Sequence, residues 1–138
     1  MPDAVVYSTA CPLFVPLVEN GRINKGDIVI ETVAKEYLLP LKEKDIDTLI
    51  LGCTHYPLLS DIISDILGPS VTLVSPGAVT AEFVAKRLFE NNLLADSKQS
   101  GQYRYYVSDS TDGFASVASL FLKADVQGVV SQVSLDNF

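Results

Sequence analysis

Blocks of apolar residues along the chain predict strands that alternate with helices. Residues 48–52 and 71–74 form mostly continuous apolar runs, which are typical of strands covered on both faces in a parallel sheet. Shorter runs rich in β-branched and aromatic residues predict further strands. These runs lie at residues 4–7, 103–107 and 129–135.

Between these runs, apolar residues recur at helical spacing. Asp27 is a candidate N-cap for one helix, and Pro40 is expected to end or kink it. Pro57 suits the first turn of a second helix, which Gly68 is expected to stop. Further helices are predicted over residues 16–19, 78–91 and 114–122.

The alternation of strands and helices predicts an α/β fold, with a mainly parallel sheet and flanking helices. In such sheets, ligands bind beyond the carboxyl ends of the strands. Three polar clusters follow predicted strands, and they begin at Cys53, Ser75 and Ser108. The first cluster, Cys53-Thr54-His55, holds the strongly reactive groups, so we expect the functional site there.

Composition and charge narrow the class of protein. The chain has 138 residues with a net charge of −7, and 48% of its residues are hydrophobic. This composition excludes intrinsic disorder, and its acidity argues against binding to nucleic acid. No apolar stretch approaches the ~20 residues that a membrane span requires. Two cysteines far apart in sequence indicate free thiols. We therefore predict a cytoplasmic protein that contacts neither nucleic acid nor membrane.

Cys53 follows a predicted strand and precedes a predicted helix. Amides at the start of a helix lack intrahelical partners, which favours a thiolate and can hold a substrate carboxylate. The alternative is that Cys53 is a small buried apolar residue. His55 is the only histidine, and histidine side chains transfer protons near neutral pH, although many have a structural role. Thr54 has the alternative role of a helix cap.

Two segments carry a resemblance to a known family. Residues 52–59, Gly-Cys-Thr-His-Tyr-Pro-Leu-Leu, resemble the segment around the second catalytic cysteine of the aspartate/glutamate racemase superfamily. Residues 10–19 are similar to the PLFVPLVE segment of the same proteins. Within the superfamily the similarity is greatest to the glutamate racemases, which make D-glutamate for bacterial peptidoglycan. The resemblance extends over nearly the whole chain.

The resemblance implies that the chain is the carboxyl-terminal half of a longer enzyme. Members of the family build two α/β domains, and each domain supplies one catalytic cysteine. The Cys-Asn-Thr motif of the first half is missing, and Cys11, which is followed by Pro-Leu-Phe, is expected only to pack. The predicted strand at residues 4–7 lies almost at the first residue, as expected of a chain that starts within a fold. The implied partners are glutamate, the missing amino-terminal half and, at full length, a second copy in a homodimer.

The resemblance also implies roles for individual residues. Cys53 would be one of two proton-transfer thiols of an amino-acid racemase that uses no pyridoxal cofactor and no metal. Thr54 and His55 would bind substrate, and His55 would also assist Cys53. Glu19 would support His55, although an exposed glutamate can equally be a solvated charge. Residues 1–76 would form most of the second domain, and residues 77–138 would complete the first.

Two alternatives remain open at this stage. The chain could derive from another member of the superfamily, such as an aspartate racemase, a hydantoin racemase or a maleate isomerase. It could also be a non-catalytic α/β binding module with a structural Cys53. Because only one of the two catalytic thiols is present, we expect the 138-residue chain alone to lack racemase activity.

Overall fold

A computed structural model describes residues 3–96, 98 and 101–135, which divide into two compact units. The first unit ends at Asn92 and the second begins at Leu93. The first contains α1 (Phe14–Glu19), α2 (Ile28–Lys42), β1 (Thr48–Ile50), a single 3₁₀ turn (Tyr56–Leu59), α3 (Ser60–Leu67), β2 (Thr72–Val74) and α4 (Pro76–Glu90). The second contains β3 (Tyr105–Val107), α5 (Thr111–Leu122) and β4 (Val130–Gln132).

Each unit contains a pair of parallel strands. β1 pairs with β2 so that Leu49 lies opposite Leu73, and β3 pairs with β4 so that Tyr106 lies opposite Ser131. α3 connects β1 to β2, and α5 connects β3 to β4. The predicted α/β class with a parallel sheet and flanking helices is therefore confirmed.

The core of the first unit lies between α2 and α3. Asp27 caps α2 as predicted, since its side chain accepts a hydrogen bond from the Val29 amide at 3.0 Å. The buried face of α2 meets the 3₁₀ turn and α3 in one apolar cluster. Its buried members on these elements are Ile30, Ala34, Leu38, Leu41, Leu59, Ile62, Ile63 and Leu67.

Some element boundaries differ from the sequence-based prediction. Pro40 was expected to end or kink α2, but the helix does not end there. Pro40 lies in the last turn, and the helix continues to Lys42. A proline there removes only one late intrahelical hydrogen bond. α5 begins at Thr111 rather than at residue 114, because the Ser110 hydroxyl accepts a hydrogen bond from Gly113 and caps the helix.

Two predictions about strands were wrong. Residues 4–7 form no strand, and Val5 and Val6 are exposed. A strand needs a neighbouring backbone, and the described strands pair only within β1–β2 and β3–β4. β1 is not covered on both faces either, since Ile50 is 64% exposed. An apolar run indicates a preference for burial, but it does not provide the surface that would cover it.

The amphipathic pattern of α4 is likewise not matched by burial. The helix has no buried residue, and Val79, Phe83 and Phe89 are exposed. Its amino end is well defined, because the Ser75 side chain accepts a hydrogen bond from the Ala78 amide. Within the part of the chain that the structure describes, no helix is both long and apolar enough to cross a membrane.

Two isoleucines at the start of α2 test the position of the core. Ile30 is fully buried, whereas Ile28 is 70% exposed. We expect Ile30→Ala to lower the free energy of unfolding by about 2–5 kcal/mol, because it leaves a cavity between the helices. The matched variant Ile28→Ala is expected to change it by less than about 0.5 kcal/mol. Urea unfolding followed by far-ultraviolet circular dichroism measures both, and equal losses would contradict this account of the core.

Candidate functional site

The candidate site lies on the loop that follows β1. The ladder continues one residue beyond the strand, since the Leu51 amide donates to the Val74 carbonyl at 2.9 Å. The chain then turns sharply, with the Tyr56 amide donating to the Cys53 carbonyl at 3.3 Å. This turn places the side chains of Cys53, Thr54 and His55 together at the carboxyl end of a parallel strand, where α/β folds bind ligands.

His55 is the centre of a hydrogen-bonded cluster. Its Nε2 lies 3.2 Å from Glu19 Oε1, and its Nδ1 lies 3.2 Å from Thr54 Oγ1 and 3.9 Å from Cys53 Sγ. The structure thus brings together all four predicted site residues. Glu19 is the last residue of α1 and lies 36 positions before His55 in the sequence.

The hydrogen-bond chemistry of Glu19 orients the imidazole ring. A carboxylate can only accept, so Nε2 of His55 carries the proton in this contact. In the neutral ring Nδ1 then holds the lone pair, and it can accept a proton from a neighbouring thiol. A thiol, an imidazole and an orienting carboxylate form the general arrangement of an activated cysteine. The cluster can therefore hold and move a proton at the sulfur of Cys53.

The four residues of the cluster differ in their exposure to solvent. The side chain of His55 is 19% exposed and that of Glu19 is 47% exposed. Thr54 is exposed and Cys53 is partly buried. The reactive groups are thus open to a small ligand while the imidazole is partly shielded from water. Among the described residues, no group of three or more His, Cys, Asp or Glu side chains is placed to hold a metal ion.

An aromatic cluster holds α1 against the site loop. Phe14 packs edge-to-face on both Tyr37 and Tyr56, with ring centroids 5.3 Å apart in each pair. The Tyr56 hydroxyl donates to the Cys11 carbonyl at 3.4 Å. Phe14 begins α1 and Glu19 ends it, so this packing fixes the carboxylate beside His55. Tyr56 was not predicted to belong to the site, although it is an aromatic residue directly after the only histidine.

The two cysteines have different environments. Cys11 belongs to the buried core, as expected of a packing residue, and its Sγ donates to the Thr9 carbonyl at 3.7 Å. Burial raises the pKa of the Cys11 thiol above its ordinary value, and a hydrogen bond with Tyr56 offsets part of that effect. Cys53 is the more accessible thiol, and it contacts His55.

Comparison with known proteins identifies the class. No protein-family model matches the chain. Its fold superposes on a glutamate racemase from Francisella tularensis, in complex with D-glutamate, with a TM-score of 0.84 and 41% identity over 99% of this chain and 50% of that one. A glutamate racemase from Thermus thermophilus, in complex with beta-chloro-D-alanine, gives a TM-score of 0.84 at 37% identity, covering 97% of this chain and 50% of that one. The fold is that of a domain of the two-domain glutamate racemase fold.

Sequence relatives narrow the class further. A glutamate racemase from Geobacter metallireducens is 43% identical over 98% of this chain and 49% of the relative. One from a Carnobacterium species is 45% identical over 88% of this chain and 46% of the relative. The chain is therefore a homologue of the glutamate racemases, which are amino-acid isomerases, and it spans about half the length of the curated relatives it matches.

The contrast between the thiols leads to a labelling prediction. Iodoacetamide reacts with thiolates, so the buried Cys11, whose pKa is raised, should react more slowly than Cys53 near pH 7.5. We expect at least about a tenfold difference in rate, measured at each cysteine by peptide mass spectrometry. In urea the two rates should converge, which serves as the control. Faster labelling of Cys11 in the folded chain would contradict the described site.

Proposed function

We propose that this chain carries one of the two proton-transfer centres of a glutamate racemase. The reaction is the cofactor-independent interconversion of L- and D-glutamate, which supplies D-glutamate for peptidoglycan. The observation that carries the proposal is the hydrogen-bonded cluster of Cys53, His55 and Glu19 at the end of β1. Homology to glutamate racemases supports the identity of the substrate.

Racemisation removes the α-proton from one face of the amino acid and returns a proton to the other face. Two acid/base groups on opposite faces can do this without turning the substrate, provided that one is deprotonated while the other is protonated. In our proposal the Cys53 thiolate takes the α-proton, or the Cys53 thiol returns one, depending on the direction. His55 Nδ1 is the nearby group that exchanges a proton with this sulfur, and Glu19 holds the ring by its other nitrogen.

Substrate binding is proposed for Thr54 and His55. The Thr54 hydroxyl is exposed next to the partly exposed imidazole, so both can reach a bound amino acid. D-Glutamate is bound in the Francisella tularensis relative, which favours glutamate over aspartate or another small acid.

The second thiol is proposed to come from sequence outside this chain. Cys11 is buried and hydrogen-bonded to its own loop, so it cannot face a substrate held at Cys53. The curated relatives are about twice as long, which leaves room for a second domain. We propose that the chain corresponds to their carboxyl-terminal half, with residues 1–76 in the second domain and residues 77–138 completing the first. The full-length protein is proposed to form a homodimer.

Exposed apolar residues support the proposal that a second domain contacts this chain. Phe83 and Phe89 on α4 are 63% and 70% exposed, and Val5 and Val6 near the start of the chain are also exposed. Soluble proteins seldom leave such groups uncovered unless they mark an interaction surface. We propose that the polypeptide matching the other half of the relatives covers them.

Activity measurements on a chimera test the function. This chain would replace the matching half of the Geobacter metallireducens relative, to which it is 43% identical. We expect the chimera to interconvert the glutamate enantiomers and the 138-residue chain alone to show no turnover. Loss of a positioned acid/base group should lower kcat of the chimera by about 10²–10⁴-fold in Cys53→Ser.

Two further variants of the chimera compare a glutamate of the site with an exposed glutamate outside it. Glu19→Gln should lower kcat, because an amide does not stabilise the imidazolium form of His55 as a carboxylate does. Glu36→Gln, on an exposed position of α2, is the matched control and should leave kcat unchanged. Turnover by the chain alone that is lost in Cys53→Ser would overturn the two-thiol mechanism. Preference of the chimera for aspartate would overturn the assignment of glutamate.

The proposed partner surface leads to a binding prediction. When the other half of the relative is co-expressed as a separate chain, we expect a complex with this chain, detectable by affinity capture and sedimentation. Phe83→Ser should weaken the complex, because it removes an exposed apolar side chain from α4. Lys86→Ser, an exposed charged position on the same helix, is the control and should have little effect. Equal effects of the two variants would count against α4 as the contact surface.

A further inference from the structure

Two side chains of the described cluster compete for Nδ1 of His55. Thr54 Oγ1 lies at 3.2 Å and Cys53 Sγ lies at 3.9 Å. A ring nitrogen offers one lone pair when neutral or one proton when charged, so it makes one good hydrogen bond at a time. The shorter contact belongs to the threonine hydroxyl, which can donate to the neutral ring or accept from the charged one.

We propose that the Thr54 hydroxyl controls the protonation of Cys53 by occupying Nδ1 of His55. While the hydroxyl is bound there, the thiol keeps its proton. When the Thr54 side chain turns to a carboxylate-bearing ligand, Nδ1 is released to the sulfur. The S–H bond of Cys53 then breaks, an Nδ1–H bond forms on His55, and the resulting thiolate and imidazolium stay adjacent. This coupling rests on the proposed function for the identity of the ligand.

The surroundings allow the hydroxyl to turn while the ring stays in place. Thr54 is exposed, which gives its side chain room to rotate. The ring of His55 is held from the opposite side by Glu19 through Nε2. The proton therefore moves between fixed atoms, and the threonine is the mobile component.

Several other titratable groups lie near the site. Glu19 faces the ring from α1, and Tyr56, which follows His55, donates a hydrogen bond to the Cys11 carbonyl. Burial raises the pKa of both Tyr56 and Cys11, so each keeps its proton across the neutral range. Tyr37, on α2, contributes to the raised pKa of Tyr56. Among these groups, Glu19 is the carboxylate beside the imidazole that stabilises its charged form.

The test is the pH dependence of alkylation at Cys53. Iodoacetamide labelling of the 138-residue chain is followed at each cysteine by mass spectrometry between about pH 5.5 and 9.5, a range that spans ordinary imidazole and thiol titration. Thr54→Val keeps the shape of the side chain and removes the hydroxyl. We expect it to raise the labelling rate at pH 7 about fivefold, the effect of one ordinary hydrogen bond, and to shift the midpoint to lower pH. Thr54→Ser, which restores the hydroxyl, should match the unaltered chain.

Two further measurements test the role of Glu19 and the integrity of the core. Glu19→Gln combined with Thr54→Val should lose most of the gain, because the imidazolium then lacks its carboxylate. Slow labelling of Cys11 in every variant shows that the core is intact. The proposal is overturned if Thr54→Val gives the profile of the unaltered chain, or if Thr54→Ser behaves like Thr54→Val. Neither result depends on racemase activity, so failure here is distinguishable from failure of the chimera.

Discussion

The packing of Phe14 between Tyr37 and Tyr56 is the interaction on which the site depends. It joins α1, α2 and the loop after β1 through two edge-to-face contacts, each worth about 0.5–1.5 kcal/mol beyond the area it buries. The hydrogen bond that His55 Nε2 donates to Glu19 would be weak by itself, because Glu19 is nearly half exposed and solvent screens the pair. Once the aromatic rings fix the two backbones, the side chains lose little further freedom in meeting. Apolar packing thus produces a polar geometry that the polar groups alone would not maintain.

The same logic explains which elements could be predicted from sequence. The caps and breakers act locally, and the structure retains Asp27 as the cap of α2 and Gly68 at the end of α3. The apolar face of α3 was also evident, because its partner α2 lies in the same chain. Pro40 was misjudged since the cost of a proline depends on how much helix follows it, and here only Leu41 and Lys42 do. Periodicity indicates an element, but not how far it extends past an interruption.

The failures with strands have a different physical origin. Residues 4–7 have strong β preference and are exposed without a pairing strand, and α4 is amphipathic without a buried face. An apolar pattern indicates that a segment is buried in the complete protein. The structure of this chain, however, can bury the segment only against other residues of the same chain. Where the two disagree, we propose that another polypeptide supplies the covering surface. The span of about half of each relative is consistent with that interpretation.

Family resemblance predicted that the site residues lie together, whereas the packing of α1 explains why they do. Resemblance to a family proposed that Glu19 serves His55 across 36 residues of sequence, and no periodicity could have indicated that contact. The structure supplies its cause in the packing of α1 on the site loop. It also separates the two thiols by environment, since Cys11 is enclosed by the core while Cys53 stands beside an oriented imidazole. In the proposed racemisation, which needs acid/base groups on two faces of the substrate, Cys53 would be one of those groups, and the contact of Thr54 with Nδ1 of His55 would decide when it acts.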